Sequence, residues 1–250
     1  KHTAPIVIRL VVGRGWGQGP EHSQSLETLF SYIPGLKVFM PAFPSDYKGM
    51  LISAIEDKNP IIIIEHRWTH YIKEKVEEGY YKSDILKPKK ISAGNDCTIV
   101  STSYSSIDTL KAVKLLKKYN YEIDFFDLRI TRPLNLEDIF RSIKKTGSII
   151  TVDTGYKTLG IGSEIIAQVT ENCFKQLKFK PVRIGLPDHP TPSSRGYIPG
   201  FYPDAKKIIV AFSKISNMDT QLEKKIINEL EEMEIKTPVD VPDSSFQGPF

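Results

Sequence analysis

The sequence predicts an α/β chain built on mainly parallel sheets, and three observations carry that expectation. Apolar runs such as Ile6 to Val12 and Ile61 to Ile64 are too continuous for strands with one wet face. Between them lie segments whose apolar residues recur at helical spacing. Strand and helix then alternate as far as about Lys214, the pattern of right-handed crossovers that cover both faces of a parallel sheet.

In chain order, Ile6 to Val12 reads as a fully buried strand. Nothing before it could supply a flanking helix and strand, so the chain is expected to begin inside a domain. Gly13, Gly15, Gly17 and Gly19 follow, and they are expected to let another molecule approach the backbone closely. Gln24 to Tyr32 has helical spacing with Ser23 or Ser25 as cap, and Pro34-Gly35 ends it. Leu36 to Met40 is a short strand, Ser45 to Glu56 a helix capped at Ser45, and Ile61 to Ile64 a buried strand after the Asn59-Pro60 turn. From His66 to about Lys90 regularity is lost, as in a linker.

A second series begins with strand Cys97 to Ser103, helix Ser106 to Tyr119, strand Ile123 to Asp127, helix Leu136 to Lys145 and strand Ser148 to Val152. Helix Gly162 to Phe174, strand Val182 to Leu186 and helix Asp204 to Lys214 complete it. Met218 to Glu234 is acidic and rich in helix formers, whereas Lys236 to Phe250 is rich in Pro, Asp and Ser and reads as a mobile tail.

Composition narrows the function. The 250 residues, 40% hydrophobic, suffice for two packed domains. A net charge of +4, with lysines interleaved among acids, argues against a nucleic-acid footprint. Two cysteines, Cys97 and Cys173, can build neither a disulfide framework nor a zinc cluster, and a reducing cytoplasm is the expected compartment. No apolar run approaches the roughly 20 residues of a membrane span, so a soluble protein is expected.

The glycine loop is not a dinucleotide fingerprint, because Gln18 stands where the third glycine belongs and Ile33 to Met40 carries no carboxylate. His22, placed among polar neighbours after four glycines, is the side chain suited to proton transfer near neutral pH, though an exposed histidine on a structural turn reads equally well. Glu65, His66 and His70 lack the H-E-x-x-H order of a zinc helix and end a strand. His189 lies in a proline-rich loop with a surface or interface role as its default reading. Asp153 closes a buried strand, either as a ligand-facing residue or as a turn cap. Asp57 and Asn59 mark a helix end whose last carbonyls are met by water, by a Schellman turn or by a hard cation.

Taken together, IVIR, the glycine loop, EHSQSLE, IPGLKVFMPAFPSDYKGML, AIEDKNPIIIIEH, FDLRITRPLN, KKTGSIITVD and GIGSEI resemble the beta subunits of thiamine-diphosphate-dependent 2-oxoacid dehydrogenases, of the pyruvate, branched-chain and acetoin types, within the transketolase superfamily. The resemblance runs from about Pro5 to about Ile215. It implies a partial pyrimidine-binding domain, its second half only, over residues 1–70, a linker over 71–90, and a transketolase C-terminal-like α/β domain over 91–215, with an acidic helical extension and tail over 216–250. The family's cofactor-activating glutamate belongs to the first half of the pyrimidine-binding domain, which this sequence does not contain.

The same resemblance implies the chemistry. His22 matches the family's active-site histidine, which shuttles protons during decarboxylation and acyl transfer to lipoamide. Ala54, Asp57 and Asn59 match positions that supply half the ligands of a structural potassium ion in some members. Thiamine diphosphate would be shared with an alpha subunit that carries the magnesium. The implied partners are that alpha subunit, a second beta subunit and the lipoyl acyltransferase core, with no nucleic acid and no membrane. VDTGYKTLG, Tyr80 to Lys90 and the extension after about Ser216 depart from the family pattern. Two other readings stand beside this one: a non-catalytic assembly module, and another transketolase-superfamily enzyme, since GQGPEH also resembles relatives outside the beta subunits.

Overall fold

A computed structural model describes residues 3–14, 17–233 and 240–242. Two sheets organise it. The first contains β1 (Val7–Val12), β2 (Lys37–Phe39), β3 (Ile61–His66) and β7 (Ile130–Arg132) in the order β1-β3-β2-β7. The second contains β4 (Lys89–Ser92), β5 (Cys97–Ser101), β6 (Ile123–Asp127), β8 (Ile149–Tyr156) and β9 (Val182–Leu186) in the order β4-β6-β5-β8-β9. Only β7 and β4 run antiparallel to their neighbours, so the expectation of α/β architecture on mainly parallel sheets holds.

Helices cover the second sheet on both faces. α4 (Ser105–Lys118), α7 (Ala205–Ser216) and α8 (Thr220–Met233) bury Ile99, Leu116, Phe125, Phe212 and Ile226 on one side. On the other, α5 (Glu137–Thr146) and α6 (Ile161–Cys173) bury Phe126, Ile139, Ile143 and Ile165. The first sheet has a thinner cover. α3 (Pro44–Ile55) packs Met50 and Ala54 on Phe39, Ile61 and Ile63, while α2 (Glu27–Ser31) sets Phe30 near Val38, Ile62 and Ile64.

Several sequence expectations need correction. β1 is an edge strand and not a fully buried one: it pairs with β3, and Ile6, Ile8 and Val11 are 54%, 46% and 58% exposed. Its apolar character therefore does not report burial within this chain. α3 starts at Pro44 with Phe43 as its N-cap, because proline suits a first helical position whose N–H has no partner in any case; Ser45 lies one residue inside and caps nothing. Neither Ser23 nor Ser25 caps α2, whose N-cap is Leu26, and the end of the glycine loop coils into a short helix, α1 (Gly19–Ser23). Of the tail beyond Lys236, residues 236–239 and 243–250 lie outside the described residues, while Asp240–Pro242 pack against the first domain's loop.

The two sheets are joined by more than the connecting chain. β7, which follows β6 of the second sheet, completes the first by pairing with β2. Beside it Arg129 is buried and donates to Asp46 Oδ1 at 2.6 Å and to the carbonyls of Asp84 and Lys87, both at 3.0 Å, and Lys89 Nζ donates to Asp46 Oδ2 at 2.8 Å. One carboxylate of α3 thus holds two cations from the other side of the junction.

Candidate functional site

Parallel pairing brings the ends of β1 and β3 together, with Val12 opposite His66. The glycine loop and the turn Arg67–Tyr71 therefore leave the first sheet side by side, facing the second domain. A small cleft opens there, lined by Arg14, Ser25, His66, Tyr104, Asp108 and Tyr202 among others. Gly13 (φ +106°) is required at its floor: a Cβ there would lie 2.7 Å from the His66 ring.

His66 is buried and stacks on Tyr104 with ring centroids 5.0 Å apart, while its Nδ1 accepts the Trp68 N–H at 3.2 Å. Burial, followed by the positive fields of Arg14, Arg67 and His70, holds its pKa well below the ordinary 6.5, so it is a neutral imidazole. Arg14 lies between two rings, with its guanidinium carbon 4.5 Å from the Trp68 centroid and 3.8 Å from that of Tyr202. Opposite, burial pushes the Asp108 carboxyl up to about 6 against the pull of Lys111 and Arg14.

The later glycines serve a different approach from the one expected. Gly17 (φ +69°) and Gly19 (φ +71°) lie under the second domain's own loop: added Cβ atoms would sit 3.2 Å from the Ser193 carbonyl oxygen and 3.0 Å from Ser193 Cβ. The close neighbour there is this chain, not a foreign molecule. Gly15 lies outside the described residues. The Gly17 N–H donates to Asp240 Oδ2 at 3.1 Å, and Arg14 Nε pairs with Asp240 Oδ1 at 3.5 Å.

His22 sits near the end of α1, exposed, and is not among the residues lining the cleft. What fixes it is Arg67, whose Nη1 donates to Gln18 Oε1 at 2.6 Å and whose Nη2 donates to the His22 carbonyl at 3.2 Å. One buried guanidinium thus clamps both ends of the helix that carries the histidine.

Behind the cleft, Ser25 Oγ donates to Glu27 Oε2 at 2.7 Å and contacts Thr154 Oγ1 at 3.2 Å. Glu27 and Asp153, from opposite domains, are both buried. Burial first, then the Asp153 charge, pushes Glu27 up to about 8. Asp153 accepts from Thr102 Oγ1 at 3.2 Å and from the Gly155 N–H at 3.1 Å; it lies within β8, not at its end. Space is tight, since a Cβ at Gly155 would meet Glu27 Oε1 at 2.3 Å.

Ala54, Asp57 and Asn59 come together at the end of α3, but as placed they do not fit a potassium ion. The Ala54 carbonyl accepts the Asp57 N–H at 3.3 Å, Asp57 Oδ1 accepts from the Asn59 N–H at 2.8 Å and from its Nδ2 at 2.7 Å, and Asp57 Oδ2 already carries the Lys37 ammonium. Glu65 likewise spends its carboxylate on Arg9 at 2.6 Å and His70 at 3.2 Å, a structural pairing that holds it down at about 2. His189 is exposed on its proline-rich loop, tilted against Phe201 with centroids 5.1 Å apart.

Sequence comparison identifies both halves of this arrangement. Residues 1–70 match the transketolase pyrimidine-binding domain and residues 87–208 the transketolase C-terminal domain. The chain belongs to the transketolase family. Within it, the chain is 38% identical over 190 residues to a pyruvate dehydrogenase E1 component subunit beta of Porphyra purpurea, covering 76% of this chain and 57% of that protein. It is 35% identical to the acetoin:2,6-dichlorophenolindophenol oxidoreductase subunit beta of Cupriavidus necator, covering 86% and 63%. To the pyruvate dehydrogenase E1 component subunit beta of Acholeplasma laidlawii it is 36% identical, covering 86% and 65%. The chain thus spans about three fifths of the length of these curated relatives. A solved split-gene transketolase, described as an inactive beta4 tetramer, shares the fold at TM-score 0.66 and 19% identity, over 85% of this chain and 66% of that one.

In this transketolase-family chain the residues that sequence reasoning passed over are Arg14, Arg67, Glu27 and Asp240. Arg14 had a signal, being the one charged residue set among the first glycines. The other three depend on contacts between distant positions, for which a local pattern carries none.

Proposed function

We propose that this chain is the beta-subunit part of the decarboxylase component of a 2-oxoacid dehydrogenase. In this reading it works with an alpha subunit and a second beta copy as a heterotetramer and passes the acyl group to a lipoyl acyltransferase core. The observation that carries the proposal is the beta-subunit order of two transketolase-family domains, with 35–38% identity to named pyruvate and acetoin beta subunits. No helix among the described residues is long and apolar enough to cross a membrane. The cytoplasm is the compartment proposed, where the thiols of Cys97 and Cys173, both free, would stay reduced.

Thiamine diphosphate, when bound, would supply the electron sink for a carbanion at the 2-oxo carbon. Its diphosphate and magnesium are assigned to the alpha subunit. The residues of this chain fit the pyrimidine side in part: a glycine-floored cleft beside a neutral imidazole, His66, whose Nδ1 accepts the Trp68 N–H and so leaves the ring proton on Nε2. His22 takes the acid–base role. Arg67 fixes its helix from beneath and leaves the imidazole exposed, as a group must be that meets a site completed by other protein. A potassium ion at Asp57 would have to displace the Lys37 ammonium.

The test extends this chain with the amino-terminal segment of a beta-subunit relative, combines it with that relative's alpha subunit, and follows pyruvate-dependent reduction of 2,6-dichlorophenolindophenol. His22→Ala is expected to lower the rate by roughly 10²–10⁴, the usual worth of positioned acid–base catalysis. Equal rates in the two proteins would remove His22 from the mechanism.

A further inference from the structure

Residues 240–242 lie against the cleft and bring one carboxylate to it. Asp240 is 8% exposed, turns the chain at φ +64°, accepts the Gly17 N–H and pairs with Arg14. Its neighbour Val241 packs against the Trp68 and Tyr104 cluster, the aromatic group that also flanks Arg14. The positive charges acting on Asp240 are those of Arg14, Arg195 and Arg67. The other acid whose charge acts on Arg14, Asp108, is already paired with Lys111 at 3.6 Å. Without Asp240 the cleft mouth would present an arginine ringed by aromatics, two further guanidinium fields and an inward-pointing backbone N–H, which together are the donor set of a carboxylate site.

We propose that Arg14 and the Gly17 N–H form a carboxylate-binding site at the cleft mouth, that the chain's own Asp240 occupies it, and that a carboxylate ligand enters only by displacing residues 240–242. A tethered group competes at an effective concentration on the order of millimolar, so a free carboxylate binds the intact chain with its affinity reduced to the fraction of time the site is open. This goes beyond the proposed decarboxylase reading and does not need it: neither a cofactor nor turnover enters the measurement.

The experiment uses the full 250-residue chain, labelled with ¹⁵N, and follows the Gly17 amide resonance while acetate, or its uncharged counterpart acetamide, is added. Asp240→Asn is expected to shift that resonance, acetate to move it back toward its position in the unaltered chain, and acetamide to do nothing. The apparent acetate affinity is expected to be at least about tenfold tighter in Asp240→Asn than in the unaltered chain, meaning a site open no more than a tenth of the time. Adding Arg14→Gln to Asp240→Asn is expected to abolish the response, with circular dichroism matched to the unaltered chain. An unmoved Gly17 amide in Asp240→Asn, equal acetate affinity in the two proteins, an equal response to acetamide, or a response that survives loss of Arg14 would each overturn the proposal. Should the double variant not fold, the Asp240→Asn comparison alone decides.

Discussion

Strands β1 and β5 are both apolar members of parallel pairs, yet every residue of β5 is buried whereas β1 leaves Ile8 and Val11 largely in solvent. The difference lies in the layers around them. β5 is central in its sheet, between α4, α7 and α8 on one face and α5 and α6 on the other. β1 is at an edge, and α2, whose Phe30 shares an apolar cluster with Leu10 and Val12, spans only Glu27–Ser31. Comparison of the two teaches where cohesion resides: the second sheet closes its own core, while the first relies on the junction, through β7 and the Arg129–Asp46 clasp.

The sharpest way to break this comparison is to truncate equivalent apolar groups in both sheets. Ile99→Ala, in a fully buried position of β5, should cost about 2–5 kcal/mol, whereas Ile8→Ala, 46% exposed, should cost about 0.5 kcal/mol or less. Urea denaturation followed by circular dichroism measures both, and similar losses would mean that β1 is held as firmly as β5.

The junction itself should respond to pH. Glu27 ionises near 4.5 ordinarily but near 8 when folded, so between those values the folded chain binds more protons than the unfolded one. The stability it contributes is thus full below about pH 4.5 and is lost as pH rises through about 8. Thermal denaturation from about pH 5 to pH 9 should show a declining melting temperature, flatter in Glu27→Gln. An identical slope in that variant would place the titration elsewhere, Asp127, raised by burial to about 7, being the next group to change.

The smallest effect belongs to the outer corner of the first sheet. Lys37 and Asp57 are only partly buried, so Lys37→Met should cost about 1 kcal/mol or less. Exchange of sodium for potassium chloride at equal ionic strength should leave the melting temperature of the unaltered chain unchanged. Specific stabilisation by potassium would show that the ion displaces the ammonium.

Much of the fold was legible because apolar runs and helical spacing are local: Ile61–His66, Cys97–Ser101 and Ile123–Asp127 lie where periodicity puts strands. β7 and β4 were not, being short and defined by pairing with distant strands, Val38 with Arg132 and Lys89 with Asp127. Of the candidate site, the glycine loop could be located and His22 named as a candidate. Their surroundings could not, because Ser193 over Gly17, Arg67 beneath His22 and Asp240 on Arg14 are encounters set by tertiary structure.

One consequence of the β2–β7 pairing concerns mechanics. Three residues that lie in sequence between β6 and β8 of the second sheet are stitched into the first by ladder hydrogen bonds, and the Arg129 clasp fastens the same seam. Nicking the backbone between Tyr71 and Lys89 would sever a covalent bond without parting the two halves. A hinge motion that opened the cleft would have to unzip that seam, so ligands entering here face walls set at a fixed spacing.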